Sequence, residues 1–281
     1  MKNRFSSSGR AFNTLLISMA LWAGMSSVVL ADKAKLTFGI VPQQAASKLA
    51  RQWVPIMRYL SAKTGYNIEF KTPSNIPEFE TKLANGDYDF AYMNPYHYVV
   101  FGDAPGYEAI AKQKGKKIKG IIVAKKSAAI QNISELNGMQ LAFPSPAAFA
   151  ASILPRAFLN AEGISVSPKY VSSHDSVYRS VALGRLPAGG GIIRTFNSVG
   201  DDVSDELKVI WESRGYTPHA FAAHPRVTDE VRENIRFALI KMSETDEGKA
   251  LLEVLNFKAI ESAAFEDWDD VRALNIGSLI Q

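Results

Sequence analysis

The sequence predicts an α/β fold in two lobes. Three observations carry that reading. Short apolar runs alternate with longer stretches of helical periodicity. The alternation runs through two successive series that divide near Lys126. Cysteine is absent from the 281 residues while 47% of them are hydrophobic, so the cores must be buried without disulfide staples. Alternation of this length implies parallel, doubly wound sheets. In such folds ligands sit at strand carboxyl ends and helix N-termini, which makes the cleft between lobes the default site.

The N-terminus precedes the fold. Lys2, Arg4 and Arg10 lead into the apolar run "TLLISMALWAGMSSVVLA", which ends on the small residues Val29 and Ala31. That is the pattern of a cleaved bacterial secretory signal peptide, residues 1–31, and implies a periplasmic destination. Cleavage removes three cations and no acid, taking the formal charge from +4 to +1. A near-neutral chain gives no electrostatic footprint for nucleic acid, and no later apolar run is long enough to span a bilayer. Without cysteine, thiol catalysis and thiolate metal sites are excluded.

In the first series, "KLTFGIV" (35–41) reads as a buried strand and "SKLARQWVPIMRYLSAKTG" as a helix with Leu49, Trp53, Ile56 or Met57, and Leu60 on one face. Gly65 stops this helix, and Pro55 should kink or restart it. "NIEFKT" (67–72) is a strand, "IPEFETKLANG" a helix ending at Gly86, "DFAYMN" (89–94) a strand and "IKGIIVAK" (118–125) another. In the second series, "ISELNG" is a short helix, "MQLAFP" a strand, and a helix spans about 146–160 with Ser145 as its cap and Pro146 in its first turn. "KYVSS" (169–173) is a strand, a helix follows through Val177 to Leu183 with Asp175 as cap, and "GGIIRTF" (190–196) and "LKVIWES" (207–213) are strands. A C-terminal helix begins at the cap Thr228 and places Val231, Ile235, Leu239 and Met242 on one face.

Three clusters could carry chemistry. "YMNPYHYVV" (92–100) sets tyrosines, Asn94 and a histidine just after a strand; it is either a ligand wall or lobe packing. The helix start after Phe143 offers free backbone N–H groups and the positive end of a dipole, an anion site without side chains, unless it is an ordinary capped helix. Ser173, His174 and Asp175 are consecutive, so their side chains diverge and make no catalytic triad, but His174 could donate to an anionic ligand. His219 and His224 match no metal-ligand spacing, and "PAGGG" (187–191) lacks the Lys-Ser/Thr of a phosphate loop, which leaves a tight turn or a close backbone approach. No metal, no cofactor and no enzymatic activity are expected.

The chain resembles the periplasmic substrate-binding components of phosphate, phosphite and phosphonate ABC transporters. "FGIVPQ" and "WVPIMRYLSAKTGYNIEF" are similar to that family's opening strand and Trp-x-Pro helix, and "FETKLANGDYDFAYMNPYHYV" to its Leu-x-x-Gly-x-x-Asp segment with a Pro-x-x-Tyr end. "ISELNGMQLAF", "SSHDSVYRSVALG" and "DWDDVRAL" resemble its later motifs.

The resemblance implies a two-lobed periplasmic-binding-protein fold (type II-like). Each lobe is a mixed, mainly parallel sheet flanked by helices, with the ligand cleft between lobes. Residues 32–125 and 216–281 would form lobe 1 and 126–215 lobe 2. The ligand residues taken from this reading are Gln43, Tyr92, Asn94, Tyr98, Ser145, Ala148, Phe149 and His174, with Tyr98 at the family's cleft tyrosine and His174 at its ligand-facing histidine. The implied partners are a small anionic ligand and an inner-membrane ABC permease; the chain itself is expected to be a monomer. The alternative is a sensing protein that reports a different ligand to a membrane sensor kinase or chemoreceptor.

Two departures bear on the ligand. The family's helix start, Asp-Pro-x-Ser-Thr-Ser-Gly, is here Ser145, Pro146, Ala147 and then Ala148-Phe149-Ala150-Ala151, without a hydroxyl among the last four. The family's Gly-x-x-Asp-x-Gly has Pro187 in place of its acid. Each missing hydrogen bond to a charged ligand would cost on the order of 1.5–3 kcal/mol.

Overall fold

A computed structural model describes residues 35–274; the expected signal peptide lies outside the described residues. In chain order the first elements are β1 (Lys35–Ile40), α1 (Ala46–Thr64), β2 (Asn67–Lys71), α2 (Ile76–Ala84), β3 (Phe90–Met93), α3 (Pro95–Asp103), β4 (Glu108–Gln113) and β5 (Gly120–Lys125). Next come a 3-10 turn (Ile133–Leu136), β6 (Gln140–Phe143), a π-turn (Phe149–Ile153) running into α4 (Leu154–Ala161), β7 (Ser167–Tyr170), α5 (His174–Ala182), β8 (Ala188–Ile192), α6 (Ile193–Phe196), α7 (Asp201–Ser204) and β9 (Leu207–Glu212). The chain closes with β10 (Ala220–Ala223), α8 (Asp229–Lys241), α9 (Asp246–Val254), β11 (Ile260–Ser262) and α10 (Asp269–Arg272).

These strands form two sheets, in the orders β11-β4-β10-β3-β1-β2 and β7-β6-β8-β5-β9. Strands joined through helical crossovers are parallel: β1 with β2 and β3, and β6 with β7 and β8. Strands flanking the passages between sheets are antiparallel: β5 with β8 and β9, and β10 with β3 and β4. The chain therefore passes into the second sheet before Gly120, not after Lys125, which corrects the boundary expected for that strand. "GIIVA" is apolar along its whole length and buried on both faces, so nothing in its own pattern says which sheet receives it.

Helix α1 continues through Pro55 as one element, against the expected restart. The proline removes one N–H donor, while Leu49, Trp53, Ile56, Met57 and Leu60 pin both halves of the helix to the sheet. The aromatic run after β3 is itself a helix, α3. Asn94 caps it by accepting from His97 N, and Pro95 fills its first position. The strands β4, β10 and β11 escaped the sequence reading as well: "AFAA" and "IES" are too short to carry a period.

The largest apolar cluster spreads from the first sheet through Tyr216 and Ile192 into Ala148, Phe149 and Ala151. The second sheet carries a cluster on each face. What seats the π-turn is bare backbone beneath it. A Cβ on Gly190 would lie 2.0 Å from the Ala151 carbonyl oxygen, and one on Gly120 2.1 Å from that of Ala150. The glycine run is thus a buried strand, and its purpose is the close approach of another backbone.

Candidate functional site

Two passages join the sheets, between β4 and β5 and between β9 and β10. They lie side by side: Ile118 N donates to Tyr216 O at 2.8 Å and Tyr216 N to Ile118 O at 2.9 Å. Above them, groups from both sheets converge on a closed cavity of about 10 Å³, room for roughly one water molecule. Gln43, Asn94 and His219 line it from the first sheet's side; Phe149 and His174 line it from the second's, together with Ala148.

Each side chain is held by local chemistry. Gln43 follows the carboxyl end of β1; its carbonyl accepts from His174 N at 3.1 Å and its Oε1 from the Arg194 guanidinium. Asn94, as the α3 cap, spends Oδ1 on His97 N at 2.9 Å and donates Nδ2 to Ala147 O at 3.2 Å. Gln44 Nε2 donates to Ser198 Oγ at 3.0 Å and Lys48 Nζ to Ser198 O at 2.5 Å. Apart from the Asn94–His97 cap, these bonds tie one sheet's elements to the other's.

His174 opens α5, whose cap is Ser173, accepting from Ser176 N; Asp175 is not the cap that the sequence suggested. The His174 Nδ1 lies 3.0 Å from Thr195 Oγ1, which fixes the ring. Full burial, reinforced by repulsion from Arg194, pushes its pKa down to about 3. His219 is buried too, stacked on Tyr92 at 4.9 Å, with no partner for Nε2 among the described residues. Burial first, then Arg194 and the neighbouring histidines, hold it well below the ordinary histidine range. Both imidazoles are neutral at physiological pH, so the charge nearest the cavity is that of Arg194.

The helix start behaves differently from its sequence expectation. Ser145 caps nothing: its Oγ is buried without a partner among the described residues, and the helical turns begin after Ala148. Ser152 N and Ile153 N both bond to Ala148 O. The amides of Phe149, Ala150 and Ala151 precede that ladder and find no acceptor among the described residues. The Phe149 ring meets Tyr216 edge-on at 5.6 Å, packing apolar bulk at the mouth of this amide row.

Of the expected ligand residues, Gln43, Asn94, Ala148, Phe149 and His174 meet at the cavity. Tyr92 lines an adjoining cleft instead, with its hydroxyl pKa raised to about 12 by burial. Ser145 is buried close by without lining it. Tyr98 is elsewhere, a correction to its placement in the cleft: its ring packs on Trp268 at 4.4 Å and its hydroxyl accepts from Ala109 N. The cause is helical geometry, since on α3 neighbouring residues point about 100° apart. His219 and Arg194 complete the cavity surroundings and were missed. Arg194 had a signal, a lone cation at the end of the apolar run "AGGGII". His219 had none, because the strand it precedes is only four alanine- and phenylalanine-rich residues long. His224 lies apart, against Tyr107; no group of three metal-ligating side chains occurs among the described residues.

Among the described residues no carboxylate and no free nucleophile line the cavity. What it offers is N–H donors, two neutral imidazoles and an adjacent guanidinium, a set that can hold an anion by hydrogen bonds.

Relatives agree with this architecture. The family described as "ABC transporter, phosphonate, periplasmic substrate-binding protein" matches residues 38–268. The phosphate-import protein PhnD of Mycolicibacterium smegmatis is 23% identical over 233 residues, covering 72% of this chain and 70% of that protein. The binding protein component of an ABC phosphonate transporter from Pseudomonas aeruginosa superposes with a TM-score of 0.81 at 16% identity, covering 87% of this chain and 86% of the other. PhnD1 of Prochlorococcus marinus, solved in complex with methylphosphonate, gives 0.80 at 17% identity, with coverages of 87% and 97%. With a match over most of its length, and with two mixed sheets joined by paired passages, this chain belongs to the periplasmic substrate-binding protein family of phosphonate ABC transporters.

Proposed function

We propose that the chain is a monomeric, non-enzymatic binding subunit that captures a small oxyanion of the phosphonate, phosphite or phosphate class in the periplasm and presents it to an ABC permease. It would reach the periplasm by loss of residues 1–31. Residues 35–119 and 216–274 would form one lobe and 120–215 the other, hinged at the paired Ile118 and Tyr216. The observation that carries the reading is the convergence of Gln43 and His219 from one sheet with His174 and the free amides of 149–151 from the other on one buried point. A cavity of about 10 Å³ cannot take a tetrahedral oxyanion, so the lobes must part to admit it and reclose around it. Backbone amides, His174 and Arg194 would supply the hydrogen bonds to it. Phosphate, which the Mycolicibacterium smegmatis relative imports, and methylphosphonate, bound in the Prochlorococcus marinus structure, fit this donor-rich, acceptor-poor set.

Titration calorimetry of residues 32–281 with phosphate, phosphite and methylphosphonate tests this. One of them should bind one-to-one, and His174→Ala and Arg194→Ala should each weaken it about tenfold or more, or about 1.4 kcal/mol. Absence of heat with all three, or unchanged affinity in both variants, would overturn the assignment.

A further inference from the structure

The amides of Phe149, Ala150 and Ala151 stand at the start of helical turns that no side chain caps. Ser145, the residue placed to cap them, has no hydrogen-bond partner for its Oγ among the described residues. An uncapped turn of five residues has little local reason to keep one shape. Two side chains nevertheless bond to the backbone on either side of the row. Asn94 donates Nδ2 to Ala147 O at 3.2 Å, reaching across from the other sheet's side. Arg156, on α4, acts from within the same chain segment.

Arg156 is half-buried. Its Nη2 donates to Pro146 O at 3.1 Å, and its Nε lies 3.3 Å from Ser152 O and 3.2 Å from Ser152 Oγ. Among the described residues all its side-chain hydrogen bonds go to these two residues, and none to a carboxylate. One planar group therefore ties a residue before the amide row to a residue after it and sets the separation of the two ends. A guanidinium suits this task because its donors sit in a rigid fork. Arg156 does not line the cavity, so it acts through the turn and not on a ligand. The Asn94 bond crosses between the sheets and must break when the lobes part, whereas the Arg156 bonds stay within one lobe.

We propose that Arg156 is a positioning residue: its bridge from Pro146 O to Ser152 holds the 149–151 amides in their anion-binding arrangement, with the lobes open or closed. The inference rests on the oxyanion function proposed above and adds the residue that preorganises that site.

The test combines methylphosphonate titration with the amide NMR spectrum of ligand-free residues 32–281, in wild type, Arg156→Met and Arg156→Lys. Arg185→Met, which removes an exposed cation of the same lobe, is the charge control. Arg156→Met should move or broaden the 149–151 amide resonances and weaken methylphosphonate at least fivefold. Arg156→Lys keeps the charge without the fork and should not restore the affinity, and Arg185→Met should stay within twofold of wild type. Resonances of 149–151 left in place by Arg156→Met, or wild-type affinity in Arg156→Lys, would each overturn the proposal. Should Arg156→Met not fold, the same resonances and affinity in Arg156→Lys decide. Moved resonances in a protein whose wild type binds none of phosphate, phosphite and methylphosphonate would count against the proposed function, and the positioning of the turn would stand.

Discussion

His174 and His219 are charged in an unfolded chain below the ordinary histidine pKa, yet neutral where they are buried. The unfolded state therefore binds more protons across that range, and stability must fall as pH falls. Stability is fully present above about pH 6.5 and is lost as pH drops towards the folded His174 value of about 3. Each histidine contributes a slope of about 1.4 kcal/mol per pH unit. Urea unfolding at pH 7, 6, 5 and 4 should show that decline, and His174→Gln should make it shallower; an identical slope in the variant would contradict the buried, neutral ring. At this scale the sequence was half legible. His174 could be singled out because it stands at a strand-to-helix junction. Tyr98 misled, because a spacing of one residue on an unrecognised helix sends it towards Trp268.

Elements tell a different story about the same stretch of chain. The helix start at 146–151 reads as an ordinary capped helix, but the cap residue is orphaned and the first turn is a π-turn resting on Gly120 and Gly190. The sequence could announce the need for close approach through "AGGG", but not which backbone would approach, since the partner lies about forty residues away in another element. A methyl group on Gly190 would collide with Ala151 O, a backbone atom that cannot swing aside. Gly190→Ala should therefore cost about 1–3 kcal/mol of stability and, by displacing the amide row, lower oxyanion affinity as well. Gly115→Ala is a fair contrast: its φ of 60° is strained but its Cβ meets open space, so affinity should be retained. Equal affinity in wild type and Gly190→Ala would argue that the π-turn does not shape the site.

Across the whole molecule, alternation of strands and helices sufficed to place two α/β sheets, whereas the sheet membership of Gly120–Lys125 depended on pairings that a local pattern cannot encode. Some of the bonds between the lobes lie away from the cavity lining, and of these Lys48 to the Ser198 carbonyl is the most separable. In the function proposed above the lobes reclose on the anion, so weakening that reclosed state lowers affinity without touching the ligand. Lys48→Met should remove about 1 kcal/mol and weaken oxyanion binding about fivefold in calorimetry; unchanged affinity would mean that closure is not coupled to capture. The most direct test of the central claim is a crystal structure of residues 32–281 grown with methylphosphonate. The account predicts the anion between the sheets, within hydrogen-bond reach of the 149–151 amides and His174, with Phe149 displaced from the cavity. An anion bound elsewhere, or a cavity still closed at saturating ligand, would contradict it.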